Sequence, residues 1–193
     1  MATIPATDVR TRETGGSTLV QRAVDAVNAH IVDNQLKVGD TLPGEGHFAA
    51  KLGVSRAVMR EAFGALAALR QIDVGNGRRA RVGAIDGSVM AASLDHAIAT
   101  AQVSMAEIWD VRRTLELRTA ELAAMHRSDA QAEHMLALVE AMGLAGEAGD
   151  MAALIRHDIA FHQCVSAASG NALFHQIIRS FEAMMSVAVP TAW

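Results

Sequence analysis

Residues 42–66, LPGEGHFAAKLGVSRAVMREAFGAL, read as two short helices joined by a tight turn. Phe48, Ala49 and Leu52 share one helical face, and Gly53 then interrupts with the residue that accepts a positive φ at least cost. Ser55 offers an N-cap oxygen to a second helix, which packs through Met59, Ala62, Phe63 and Leu66. A small residue at Ala49 allows the two helices to cross closely. Arg56 and Arg60 lie one turn apart on the remaining, wet face, where guanidinium groups can meet base edges or phosphates.

An amphipathic helix with two exposed arginines is common, so the flanking sequence matters. Residues 71–82, QIDVGNGRRARV, read as two short strands around a Gly75, Asn76, Gly77 turn, with Arg78, Arg79 and Arg81 following it. This is the pattern of a β-wing. From Lys51 to Arg81 there are seven basic and two acidic residues, a balance of +5. The chain as a whole carries −4, so the remainder carries −9. Such a split fits a polyanion-binding module joined to an acidic domain with a different task.

The order of these pieces resembles the winged helix-turn-helix of the GntR family of bacterial transcription regulators. That family runs from a Gly-Asp-x-Leu-Pro turn through Gly-Val-Ser-Arg to Arg-Glu-Ala, matched here by Gly39, Asp40, Leu42 and Pro43, by Gly53 to Arg56, and by Arg60 to Ala62. Ser55, Arg56 and Arg60 are thereby the expected DNA contacts of the second helix, and Arg78 and Arg79 those of the wing. Two positions depart from the pattern. Gly46 stands where the family usually has an arginine, which removes a DNA contact, and Arg70 stands where it usually has a glycine, which alters the turn from helix to wing.

At 193 residues with 51% hydrophobic residues, the chain has core enough for two modest domains. Aromatic residues make up only 4% and tyrosine is absent, so the core is built from aliphatic residues and methionine, a composition that favours helix. The single cysteine, Cys164, excludes an internal disulfide and suits a reducing cytoplasm. No apolar run is long enough to span a membrane, and no hydrophobic signal core is seen in residues 1–12. The expected organisation is a flexible arm over 1–17, a winged helix-turn-helix over 18–83, a linker and connecting helix over 84–102, and an incomplete helical effector-binding and dimerisation domain over 103–193. The fold class is mainly α, with a small β-wing and an all-α antiparallel bundle.

Helix starts in the second half are marked by Ser104 with Glu107, by Ser128 with Gln131, by Asp150 and by Asn171. The helices they open carry apolar stripes, among them Ile108, Val111 and Leu115, then Leu138 and Val139, then Leu173 and Ile177. In the third such helix Asp158 and His162 fall at inward positions. Side chains four residues apart stack one above the other, so the pair can converge on one cation or seal a buried hydrogen bond. Arg112 can grip an anionic effector with two parallel hydrogen bonds or pair with Glu116 one turn on.

Asp158, Phe161 and His162, followed by Ser169, Gly170 and Asn171, resemble the signature of the FadR C-terminal ligand-binding domain carried by many GntR regulators. Arg112, Leu115 and Glu116 resemble that domain's first helix. The resemblance implies a divalent metal (zinc, nickel or manganese) at Asp158 and His162, and a small organic acid beside it. The family's two further histidine ligands would fall beyond Trp193, so the site is expected to be incomplete and the chain truncated.

The expected function is a cytoplasmic bacterial transcription regulator, not an enzyme, binding a pseudo-palindromic double-stranded DNA operator as a homodimer under control of a small organic acid. An effector-blind DNA-binding or dimerisation protein is the alternative. A metal-dependent hydrolase is the remote one.

Overall fold

The computed structural model describes residues 9–75, 77–182 and 184–185, with side chains from Thr18 onward. The chain divides between Ile85 and Asp86 into two units.

The first unit contains α1 (Val9–Asp33), α2 (Glu45–Leu52), α3 (Arg56–Ala68), β1 (Ile72–Gly75) and β2 (Arg78–Val82). Helix α1 reaches back past the expected start at Thr18, through Gly15 and Gly16, to Val9. Once a helix is nucleated, each added residue gains one hydrogen bond, so two glycines need not end it. Residues 1–8 of the expected arm lie outside the described residues. Val20, Val24 and Ile31 of α1 pack on a core of Val27, Leu42, Phe48, Met59, Leu66 and Ile72. Phe48, Met59 and Leu66 are at most 1% exposed, which accounts for the apolar spacing of α2 and α3. Gly53 ends α2 at φ 66°, and Ser55 caps α3 by accepting a hydrogen bond from the Val58 amide at 3.2 Å.

The wing is an antiparallel pair with Ile72 opposite Val82, Asp73 opposite Arg81 and Gly75 opposite Arg78. It has a third partner that periodicity does not reveal. The Gly39 amide donates to the Val82 carbonyl (2.9 Å), the Val82 amide to Asp40 (2.9 Å) and the Leu42 amide to Ala80 (2.8 Å). The Gly-Asp-x-Leu segment is therefore strand-like edge as well as turn. Gly39 takes φ 87°, and the Asp40 side chain closes the turn by accepting from the Lys37 amide at 2.7 Å. Arg70 adopts φ 56°, the left-handed conformation that a glycine takes freely. The turn into the wing thus keeps its geometry with an arginine in place, at the cost of backbone strain.

The second unit contains α4 (Ser88–Ala99), α5 (Met105–His126), α6 (Asp129–Glu147), α7 (Met151–Ala168) and α8 (Ala172–Ser180). Ser104 with Glu107 and Ser128 with Gln131 form reciprocal capping boxes, while Asp150 and Asn171 cap α7 and α8. Helix α7 is the centre of the bundle, packing on α6, on α5 and on α8, while α5 and α6, though consecutive in the chain, share little surface. Helix α4, read from sequence as a connector, packs on α8. A Cβ on Gly87 would lie 2.6 Å from the Gln176 carbonyl oxygen, so only glycine permits this approach. Leu94 and Ile98 of α4 then join a core of Ile108, Ile178, Phe181, Met184 and Met185.

The stripes of this unit differ from the sequence reading in rotation. Val111, Val139 and Leu173 are 51%, 48% and 54% exposed, while Arg112 is 2% exposed. Burying Arg112 is tolerated because its charge is neutralised one turn along the same helix, at Glu116.

Candidate functional sites

In the first unit the expected DNA contacts share one module. Ser55, Arg56 and Arg60 open α3 and are exposed; Arg78 and Arg79 are exposed on β2. Arg60 has 79% of its side chain in solvent, with Nε 3.9 Å from a carboxylate oxygen of Glu45, which sits in the first turn of α2. The three wing arginines divide in role. Arg81 is a brace, donating from Nη1 to the Gly39 carbonyl at 3.0 Å. Arg78 folds back over Gly75, where a Cβ would come within 3.1 Å of its Nη2. Arg79 is left exposed toward solvent. An open cleft of about 440 Å³ runs between the start of α2 and the wing, bounded by Gly44, Glu45, Phe63, Val74, Arg78 and Arg79. A Cβ on Gly46 would meet nothing within 4 Å, so a longer side chain would fit there without strain.

In the second unit Arg112, Asp158 and His162 are brought together by a residue that joins the two helices. Glu116 accepts from Arg112 Nε on one side and lies 3.1 Å from His162 Nδ1 on the other, while His162 Nε2 is 3.6 Å from Asp158. The sequence places Glu116 one turn from Arg112 but does not show its reach from α5 to α7. Arg112 also lies over the Trp109 ring, 5.2 Å from its centroid, and its Nη1 points at the Met185 sulfur.

This cluster sets its own protonation. Burial alone would lower the His162 pKa, but the hydrogen bonds with Asp158 and Glu116 outweigh it and raise the value to about 9. Burial pushes Glu116 up, yet its bonds and charge contacts with His162 and Arg112 hold it below the ordinary carboxylate range. The His162 hydrogen bond holds Asp158 down as well, against its burial. At neutral pH the four groups form an alternating chain of Arg⁺, Glu⁻, His⁺ and Asp⁻. Both readings of the inward pair can be tested on this geometry. A metal ligand must be a neutral imidazole with a free nitrogen, whereas each nitrogen of His162 faces a carboxylate. Among the described residues no group of three or more His, Cys, Asp or Glu is set to hold a metal ion. The residues as placed fit a closed ionic chain, not a metal centre.

Beside this chain a cavity of about 300 Å³ opens between α5 and α7, lined by Trp109, Arg113, Leu117 and Phe161 among others. Of these four the sequence marks only Phe161; the signal for the others is the i, i+4, i+8 stripe of Trp109, Arg113 and Leu117. His175 of α8 is half-buried, with Nδ1 3.1 Å from the Ser166 hydroxyl. Burial and the nearby Arg179 charge lower its pKa against a backbone hydrogen bond with Gln163.

Comparison with known proteins agrees with this division. Residues 19–82 match the family of bacterial regulatory proteins described as gntR, and residues 107–193 match the FCD domain. The Glc operon transcriptional activator of Escherichia coli K12 is 31% identical over 164 residues, covering 83% of this chain and 65% of that protein. The transcriptional regulator LutR of Bacillus subtilis is 28% identical over 158 residues, covering 80% of this chain and 70% of its own length. The chain thus spans about 65% of the length of the Glc operon relative. A solved GntR structure from Streptococcus agalactiae superposes with a TM-score of 0.61 at 24% identity, over 89% of this chain and 83% of that one. That likeness concerns the fold.

Proposed function

We propose, on the premise that this chain belongs to the GntR family of bacterial regulatory proteins and carries an FCD domain, that it is a transcription regulator whose operator affinity is set by a small organic acid. The observation that carries the reading is the surface of the first unit. Arg56 and Arg60 project from a capped α3 beside an arginine-bearing wing, in a segment of net charge +5 within an acidic chain. Family and named relatives are regulators, not enzymes, and the hydrolase reading finds no support in them.

In this reading α3 lies in the major groove, where Arg56 and Arg60 read base edges and Ser55 meets the backbone, while Arg78 and Arg79 reach phosphates from the wing. A homodimer in a bacterial cytoplasm would place two such heads on a pseudo-palindromic operator. Acid binding in the bundle would bias one head spacing over another; a coupling of roughly 1–3 kcal/mol changes operator affinity about 5- to 150-fold. Among the described residues no helix is long and apolar enough to cross a membrane.

Selection of bound sequences from a random duplex pool tests the head. Enrichment of a two-fold symmetric site supports the reading, and recovery of unrelated sequences with no half-site defeats it. A second reading, an effector-blind DNA-binding protein, draws support from the occupation of Arg112 by Glu116. Acid added to the operator complex separates the two, since an effector-blind protein keeps its affinity with every acid. A divalent metal at Asp158 and His162 would have to displace the His162 proton and part both carboxylates, so zinc, nickel or manganese belongs to this proposal only as a weak competitor of the ionic chain.

A further inference from the structure

The cavity between α5 and α7 contains one uncommitted charged group. Glu116 and His162 form its polar side and are bonded to each other, and the Thr119 hydroxyl is spent on the Glu116 carbonyl at 3.0 Å. The remaining walls are apolar: Trp109, Leu117, Ala120, Phe161 and Val165. Arg113 is exposed and, alone among the charged lining groups, makes no hydrogen bond or ion pair with any described residue. Arg113 is thus the guanidinium of the lining that no carboxylate of the described residues occupies.

Charge and shape together define what fits. A guanidinium takes a carboxylate through two parallel hydrogen bonds. Trp109 stands one turn before Arg113, and Phe161 faces it from α7, so the body of a ligand held at Arg113 lies against two aromatic rings. About 300 Å³ is at the small end of ligand cavities and holds a single ring with a short arm. The other ionisable lining groups, Glu116 and His162, are paired with each other, so no second cation is left to take a second carboxylate.

We propose that this cavity binds an amphipathic monocarboxylate with a compact aromatic or similarly apolar body, and that Arg113, not Arg112, holds the carboxylate. The inference rests on reading the bundle as an effector domain and names the class of acid.

Trp109 is a built-in reporter, since the chain has only two tryptophans and Trp193→Phe leaves it alone. The full chain carrying that substitution is titrated with phenylacetate, with benzylamine as the cationic counterpart and with lactate as a small polar acid. Saturable change in Trp109 emission is expected with phenylacetate and none with benzylamine. Arg113→Gln should weaken phenylacetate at least tenfold with unchanged helical circular dichroism, and Arg113→Lys should restore part of it. Phenylacetate binding that is absent, or equal in Arg113→Gln, overturns the proposal. If lactate still releases operator DNA in that case, the effector reading survives without this one; if no acid in the panel binds or releases operator, both fall.

Discussion

The two units handle the same side chain in opposite ways. In the first, Arg60 keeps 79% of its side chain in water; in the second, Arg112 keeps 2% of its residue surface. An exposed guanidinium is free to trade water for phosphate or guanine at little structural cost. A buried one has already traded its water for Glu116, and any ligand that claims it must first replace that partner. Arginine is thus a contact in one unit and a structural member in the other, and burial decides which.

The largest effects should come from attacking the two interiors. Phe48→Ala removes a 1% exposed ring from the first core and should cost about 3–5 kcal/mol. Glu116→Ala leaves Arg112 buried and unpaired and should cost about 3 kcal/mol or more in the second unit. Denaturant melts of both variants check these values; a Glu116→Ala loss below about 1 kcal/mol would mean that Arg112 escapes to solvent and the contrast between the units is false.

Next in size is Arg56→Ala, expected to weaken operator binding by about 1–3 kcal/mol while leaving the melting midpoint unchanged. Competition binding at fixed salt measures it. Equal affinity and unchanged sequence preference would show that exposure alone did not make Arg56 a reader.

The ionic chain also predicts a pH dependence. The folded pKa of His162, about 9, lies above its ordinary value near 6.5. Its contribution is therefore fully present below about 6.5 and is lost as pH rises through about 9. The lowered Asp158 and Glu116 act at the other end, stabilising above the ordinary carboxylate range and losing that contribution as acid protonates them. Urea midpoints should fall by roughly 1–3 kcal/mol in equivalent stability between pH 6.5 and 9. His162→Asn should flatten that slope; an unchanged slope would place its origin elsewhere.

The smallest test uses a matched pair of caps. Ser55→Ala and Ser128→Ala each remove an oxygen that accepts from an amide at 3.2 Å, and each should cost about 1 kcal/mol. Only Ser55→Ala should also weaken DNA binding.

The first unit was legible because its signals are local. Gly53, Ser55 and the Gly75 to Gly77 turn each act within a few residues, and the stripe of Met59, Ala62, Phe63 and Leu66 leaves little choice of inward face. What escaped was the pairing of Gly39 to Leu42 with β2, whose register depends on chain returning from residue 82. In the second unit the caps were equally legible, but helix rotation was not. Val111 and Arg112 are adjacent, and a hydropathy stripe buries the valine. The fold buries the arginine because Glu116 and His162, on separate helices, supply the neutralising chain. Phe161 and His162 stood out in sequence; their neighbour Arg113 did not, because a charged residue on an amphipathic helix carries no mark of the cavity beside it.

The Gly39 to Leu42 edge changes how the wing meets its target. From Ala80 to Val82, β2 is held on both sides by backbone hydrogen bonds and clamped by Arg81 on the Gly39 carbonyl, so the base of the wing has little backbone freedom left to surrender at the moment of association. The entropy of ordering that base is settled during folding, so at residues 80–82 docking bears only the rotamer cost of the side chains. Residues at the tip can then be exchanged one for another to retune a contact, while the frame that presents them stays the same.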